Sequence, residues 1–274
     1  MQAIRAVYTI WLREFKVSVR ERSRLVAMFA QPLLYLLVVG KGLTSAMTMR
    51  AAPGGIDYLK FMFPGIIGMS LLFTSIFAGA STIWDREFGF LKEVLVAPVS
   101  RAAVAMGKSL GGATTATIQA IILLALAPVV GVSLTAAVVA KILVVAFLIS
   151  FAVTSLGVAI AGRMKSMQGF QMIMNFLVMP LYFLSGAMFP LSTAPAWMKV
   201  LMRIDPLTYG VDALRGLVFS STTIQLPLGI TEKLSVLARA TGLVRWSLGF
   251  DVGVIAAVAL VLAVAGALSL SGTE

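Results

Sequence analysis

The sequence predicts an all-α membrane protein with about six transmembrane helices, an N-terminal interfacial helix and short re-entrant outer helices before the last span. Two observations predict this class. Hydrophobic residues make up 59% of the 274 residues and the mean hydropathy is +0.99, which leaves too little polar surface to cover a soluble globule. Apolar blocks of about 20 residues, the length that a helix needs to cross the hydrocarbon core, recur along the chain.

Residues 1–24 predict an amphipathic helix that lies at the membrane surface. Ile4, Tyr8, Trp11 and Phe15 recur at helical spacing, while basic residues occupy the other faces. The segment lacks the early apolar core and the small-residue cleavage site of a signal peptide. A solvated basic tail is the alternative.

Six apolar blocks are predicted to span the bilayer as one domain, residues 1–274: 25–43, 61–84, 104–130, 138–161, 172–190 and 250–270. Lys and Arg cluster before the first block and between the second and third, which predicts that both segments face the cytoplasm. An even number of spans then places both termini inside. We expect a multi-pass protein of the cell membrane, in contact with lipid.

Residues 85–101 form the predicted cytoplasmic loop between the second and third spans. Phe88, Leu91 and Leu95 share one helical face, and Pro98 ends the helix. Such a helix either docks its apolar side chains into a groove on a soluble partner or rests on the membrane surface, and periodicity does not separate the two. The loop acids, Asp85 among them, stand beside basic neighbours and predict a solvated, paired surface.

Several chemistries are excluded by what the sequence lacks. No histidine or cysteine is present, which removes imidazole relays, thiol nucleophiles and structural zinc from consideration. Gly107-Lys108-Ser109 resembles the end of a phosphate-binding loop, but the first glycine and the preceding strand are missing, so close helix packing through Gly107, Gly111 and Gly112 is favoured. The net charge of +11 is spread between apolar blocks, which argues against nucleic-acid binding. We expect no enzyme activity in this chain.

The outer side carries an interrupted span. Ser185, Gly186 and Pro190 break the fifth block and free backbone groups that lipid cannot satisfy, which points to a pathway or an interface. Residues 191–219 then hold two short amphipathic helices separated by Asp205-Pro206. Asp212 and Arg215 are spaced to pair on the polar side of the second helix. A gate and simple interfacial packing both fit this pattern.

Aromatic and Met side chains in the second and fifth spans are candidates for a substrate pathway, because Met surfaces adapt to varied ligands. Ordinary lipid-facing or packing roles are the alternative. The candidates are Met69, Phe73, Phe77, Asn175 and Met179, with Met172, Met174 and Phe176 beside them. None of the spans carries an ionisable side chain at its centre, so uphill transport would need energy from outside the chain.

Taken in order, these segments resemble the permease subunit of type-2 ABC exporters, close to the daunorubicin-resistance and nodulation-factor export branch. The resemblance covers nearly the whole chain. The residues that carry it are Glu87, Gly89, Leu91, Leu95 and 97–101 in the cytoplasmic loop, and 183–186, Phe189-Pro190, Pro195, Trp197, 205–209 and 212–215 near the outer side. Phe90 departs from the small or polar residue expected after the Gly.

The resemblance implies a dimer of six-span subunits, a homodimer or a heterodimer with a similar chain, bound by two copies of a separate ABC ATPase that holds ATP and Mg. No cofactor is expected on this chain. The implied ATPase contacts of the coupling helix are Glu87, Phe88, Gly89, Leu91, Glu93 and Arg101. The implied outer gate is Ser185, Gly186, Pro190, Trp197, Asp205, Pro206, Tyr209, Asp212 and Arg215.

The function expected from the resemblance is export of an amphipathic substrate, a drug-like metabolite or a lipid-linked saccharide, from a prokaryotic cell. A polysaccharide or ion carrier of the same class and an ATP-independent channel are the alternatives. Convergent polar groups for a membrane enzyme are not found in the sequence, and no repeated filter-like segment supports a channel.

Overall fold

The computed structural model describes residues 2–21, 26, 30, 32–40, 58–87, 99–225 and 231–271. These residues are overwhelmingly helical, which confirms the predicted all-α class. A short antiparallel ladder joins β1 (Thr223–Gln225) to β2 (Thr231–Lys233). The helices in chain order are α1 (Gln2–Arg20), α2 (Tyr58–Ala78), α3 (Ser81–Glu87), α4 (Arg101–Ala125), α5 (Ala136–Arg163), α6 (Met167–Leu184), α7 (Ala196–Ile204), α8 (Pro206–Ser221), α9 (Leu234–Ala240) and α10 (Leu248–Ser271).

Within the described ranges, four segments are long and apolar enough to cross a membrane: Tyr58–Glu87, Ala136–Arg163, Met167–Leu184 and Leu248–Leu270. They match the second, fourth, fifth and sixth predicted spans. The third predicted span corresponds to α4, whose 25 residues are long enough to cross but include many Gly, Ala and Thr side chains. Of the first predicted span, 25–43, the structure describes residues 26, 30 and 32–40, which are helical and include a π-helical segment at Tyr35–Gly40.

The helix boundaries follow local capping chemistry. The Ser100 hydroxyl accepts a hydrogen bond from the Ala103 N–H at the start of α4, and Ser166 does the same for Gly169 in α6. After α4, the 3-10 turn Ala127–Val130 contains Pro128 and ends at Gly131, whose φ is +73°. The α-helix of the third span therefore ends at Ala125, before the predicted boundary at residue 130.

Helix α2 is the centre of the bundle. It is buried on almost every side, and it packs against α4, α5 and α8. Helix α5 also packs against α4 and α10, while α1 lies along α4. Phe63, Ile67, Leu72, Ile142, Val211 and Phe219 belong to the continuous apolar core.

Helix α6 is attached very differently. Its buried side chains are Phe170, Met174, Val178 and Tyr182, spaced four residues apart along a single ridge. The rest of its circumference is exposed or half-buried. A span joined to its own subunit along one ridge leaves a broad face for lipid or for a second chain.

Candidate functional site

A cluster of charged side chains joins three helices at the predicted cytoplasmic end. We call Arg13, Glu14, Asp85 and Lys108 the cytoplasmic charge cluster. The Arg13 guanidinium donates to both carboxylate oxygens of Asp85, at 3.0 and 2.6 Å. Lys108 Nζ donates to Asp85 Oδ2, to Glu14 Oε1 at 2.9 Å and to the Ser81 hydroxyl at 3.0 Å.

Lys108 and Asp85 form the buried centre of the cluster, 3% and 6% exposed, while the Arg13 and Glu14 side chains are 35% and 12% exposed at its edge. The prediction that Asp85 belongs to a solvated surface is therefore wrong: its charge partners come from α1 and α4, not from its neighbours in the chain. Burial alone would lower the pKa of Arg13, but the hydrogen bond to Asp85 and the charges of Asp85 and Glu14 raise it above its ordinary value. The four side chains carry two charges of each sign, so the buried cluster is neutral.

Close packing of α1 on α4 brings the cluster together. A Cβ at Gly107 would lie 2.8 Å from the Ile10 Cβ, and one at Gly111 would lie 2.5 Å from the Glu14 Cβ. The predicted helix packing through these glycines is confirmed. The Trp11 indole N–H also donates to the Thr114 hydroxyl at 2.9 Å, which fixes the rotation of the interfacial helix.

Both ends of the predicted coupling loop are held by polar contacts. At the start of the loop, the Arg86 guanidinium donates to the carbonyls of Gly162 and Met164, at 2.7 Å each, at the end of α5. After it, Arg101 donates to the Leu270 carbonyl at 3.2 Å. Glu87 is exposed where α3 ends. The other predicted ATPase contacts, Phe88, Gly89, Leu91 and Glu93, lie outside the described residues.

On the predicted outer side, α8 satisfies the backbone of the interrupted fifth span. The chain leaves α6 at Leu184 and turns through Gly186, whose φ is +74°. The Leu184 carbonyl accepts from the Thr208 hydroxyl at 3.2 Å, and the Gly186 carbonyl accepts from the Arg215 guanidinium at 2.8 Å. The Ser185 hydroxyl donates to the Tyr182 carbonyl at 2.6 Å. The freed backbone groups are thus paired inside the protein, as an apolar environment requires.

The acids of this region cap and tie backbone segments. Asp205 caps α8 through the Leu207 N–H at 2.9 Å, with Pro206 as the first helical residue. Burial raises the pKa of Asp205 to about 7, against the lowering effect of the Leu207 N–H and the Thr208 hydroxyl. Asp212 accepts from the N–H groups of Arg245 and Trp246, at 3.0 to 3.2 Å, just before α10.

Asp212 and Arg215 were predicted to pair on a polar side of α8, but the structure gives these side chains other partners. Both are buried, and each is directed toward backbone groups of another segment. The Arg215 guanidinium also lies over the Phe61 ring, 4.3 Å from its centroid. Polar side chains of α8 therefore connect the broken fifth span, the second span and the start of the last.

The remaining predicted gate residues lie around this cluster. Tyr209 donates to the Arg203 carbonyl at 2.8 Å, and its ring lies 4.8 Å from that of Trp246. Pro190 precedes the short turn Leu191–Thr193. Trp197 belongs to the apolar face of α7, which is exposed and continues through Val200 and Ile204. An exposed apolar face on a short helix suits a position in the membrane interface.

The predicted pathway residues divide into two groups. Met69 is buried in the core and Phe73 and Phe77 are half-buried on α2, while Met174 belongs to the buried ridge of α6. Met172, Asn175, Phe176 and Met179 lie on the exposed face of α6, where Phe176 is 82% exposed. Gln119 of α4 accepts a hydrogen bond from the Thr74 hydroxyl of α2, which joins these two helices.

Arg13, Glu14 and Lys108 were not among the predicted site residues. A signal was present in the sequence, since Lys108 lies about one helical turn inside the apolar block 104–130, where an unpaired charge is costly. Its partners lie 94 and 23 positions away, on α1 and α3. Pairing over such separations is not encoded in local spacing.

The sequence model of the family described as ABC-2 type transporter matches residues 5–219. The transport permease ycf38 of Cyanophora paradoxa is 28% identical over 234 residues, covering 81% of this chain and 79% of the relative. Nodulation protein J of Rhizobium meliloti is 24% identical over 227 residues, covering 81% and 84%. The ABC transporter permease YbhR of Escherichia coli is 24% identical over 188 residues, covering 68% and 51%.

Proposed function

Because the chain belongs to the ABC-2 type transporter family, we propose that it is the permease subunit of an ATP-driven exporter. Membership makes it a membrane permease of an ABC transporter, a class that works with an ATPase partner. Two copies of the ATPase, carrying ATP and Mg, bind the cytoplasmic side. Both termini of the permease lie in the cytoplasm of a prokaryotic cell.

The anchoring of the loop 85–101 is the observation that carries this proposal. Asp85 and Arg86 are the first two residues of the loop and Lys108 follows its end, and their contacts reach α1, α4 and α5. A displacement of the loop by the ATPase is transmitted to these helices, because buried charge pairs resist separation. Glu87, Phe88, Gly89, Leu91, Glu93 and Arg101 are the proposed contacts with the ATPase.

The exposed face of α6 supports a second copy of the chain, in a homodimer. Gln171 and Asn175 stand on this face among Met172, Phe176 and Met179. Amide side chains facing lipid lose hydrogen bonds, so a mixed face suits a partner or a substrate path between two subunits. The Met and aromatic side chains suit an amphipathic substrate, a drug-like metabolite or a lipid-linked saccharide. One relative carries the name Probable multidrug ABC transporter permease YbhR, in agreement with such a substrate.

At the outer end of this path, the cluster built on α8 serves as the gate. Its residues couple the break at Ser185-Gly186 to the start of α10 through Asp212 and Arg215. Opening therefore moves α8 with the end of the fifth span.

Reconstitution with the ATPase that co-purifies from native membranes tests the proposal. Glu87→Gln is expected to lower ATP turnover and substrate efflux together while leaving membrane insertion unchanged, because Glu87 is exposed beside the loop. Glu21→Gln, another exposed acid at the end of α1, is the matched control. Efflux that proceeds at the same rate without ATP would favour a channel and refute the exporter.

A further inference from the structure

A cavity of about 350 Å³ lies between α5, α8, α9 and the start of α10. It is separate from the broken span and from the exposed face of α6. Lys141, Asp212, Ser220, Ser235, Arg239 and Asp251 supply its polar lining. The volume falls within the range of small-molecule sites in proteins.

Asp251 is the unusual member of this lining. It is 1% exposed, and neither carboxylate oxygen has a hydrogen-bond partner among the described residues. A buried carboxylate without a donor costs several kcal/mol in order of magnitude. Asp212 does not share this deficit, because the N–H groups of Arg245 and Trp246 bind its carboxylate. Asp251 therefore marks the place where a donor is missing.

Two cations stand at the rim of the same cavity. Lys141 on α5 and Arg239 on α9 are both exposed, whereas Asp251 is buried. A simple cation would have to pass these two positive charges, and a simple anion would meet the buried carboxylate. The described residues also contain no group of three or more His, Cys, Asp or Glu that would hold a metal ion.

From this arrangement we propose that the cavity binds a phosphoethanolamine group, with its ammonium on Asp251 and its phosphate between Lys141 and Arg239. The ammonium supplies the donors that Asp251 lacks, and charge-assisted hydrogen bonds hold both ends. Ser220 and Ser235 offer hydroxyls to the same ligand. A membrane lipid headgroup and a free solute are the two sources of this chemistry.

Native mass spectrometry of the purified full-length chain tests the proposal. The probes are dihexanoyl phosphatidylethanolamine, the matched phosphatidylglycerol that lacks the ammonium, and soluble phosphoethanolamine. We expect the parent to prefer the ethanolamine lipid by about tenfold, the effect of one charge-assisted hydrogen bond. Asp251→Asn is expected to abolish that preference and to bind the glycerol lipid at least as well as the parent does.

Lys141→Gln and Arg239→Gln change exposed side chains and so leave the fold intact. Both are expected to weaken the two lipids alike, because they act on the phosphate. Arg163→Gln, exposed at the opposite end of α5, is the matched control and should change neither affinity. If soluble phosphoethanolamine displaces the bound lipid, the site also accepts a free solute. If the lipid stays bound in its presence, the ligand is a membrane lipid headgroup. Equal binding of the two lipids by the parent, or an unchanged ethanolamine preference in Asp251→Asn, would overturn the proposal.

Discussion

Replacing Lys108 with methionine removes the cation at the centre of the cytoplasmic charge cluster. Methionine has a similar length and no charge, so the main change is electrostatic. Of the three remaining charged members, Arg13 is positive and Asp85 and Glu14 are negative, so the cluster as defined carries a net charge of −1. We therefore expect a large loss of stability from the removal of this one ammonium group.

The contact between Lys108 Nζ and Glu14 Oε1, at 2.9 Å, sets the scale. At an effective dielectric constant of about 20, Coulomb's law gives roughly 6 kcal/mol for a pair at this separation. Desolvation of the charges opposes most of this gain, and breaking a buried pair by removing one partner costs about 3–5 kcal/mol. We expect the free energy of unfolding of Lys108→Met to fall by that amount.

A double-mutant cycle separates the charge effect from packing. Asp85→Asn alone leaves the cluster with one excess positive charge, whereas Lys108→Met combined with Asp85→Asn restores neutrality. The double variant should therefore be more stable than the sum of the two single effects predicts, by about 1–3 kcal/mol. Unfolding in mixed detergent micelles, followed by far-UV circular dichroism, measures all four proteins. Lys165→Met, exposed between α5 and α6, is the control and should shift stability by less than about 0.5 kcal/mol. Additive single effects would refute the buried neutral cluster.

Three further measurements test other contacts. Gly65→Ala should strongly destabilise the fold, because the new Cβ would lie 2.5 Å from the Ala187 carbonyl oxygen. Gly253→Ala is the control: its Cβ would have no neighbour within 4 Å, so thermal unfolding should show no change or a gain of up to about 1 kcal/mol in the stability of α10. Burial raises the pKa of Asp205 from 3.8 to about 7, so between these pH values the folded state keeps a proton that the unfolded state loses. The stability of the parent protein should therefore decline as the pH rises from 4 to 7. Asp205→Asn keeps the helix cap and should flatten that profile. Trp11→Phe should cost about 1 kcal/mol through the lost hydrogen bond to Thr114, and an unchanged melting temperature would contradict the docking of α1.

The spans and the short outer helices were predictable because the bilayer imposes them. A helix of fixed minimum length must cross the hydrocarbon, and Asp205-Pro206 stops one helix and caps the next. The roles of Asp212 and Arg215 were not predictable in the same way. Their i, i+3 spacing indicates a pair, but the carbonyl of Gly186 and the N–H groups near Trp246 compete for these side chains only after the chain folds back.

Asp251 shows the same limit of local sequence. An acid in the first turn of a span is typical of a residue that meets headgroups. Here α5 and α8 pack against α10, residues of α9 line the same cavity as the start of α10, and the carboxylate is buried. Burial by a segment distant in sequence changes the chemistry of a residue, and the residues next to it in the sequence do not reveal that burial.

The four-residue ridge of α6 has a mechanical consequence for the subunit. Tilting α6 away from its neighbours would uncover mainly the ridge Phe170, Met174, Val178 and Tyr182, whereas tilting α2 would break contacts on almost every side. Among the described membrane-spanning helices, α6 is therefore the one whose movement disturbs the fewest contacts within the subunit. If the proposed export path runs along the exposed face of this helix, a wide substrate would be accommodated at the least cost in packing by displacement of α6.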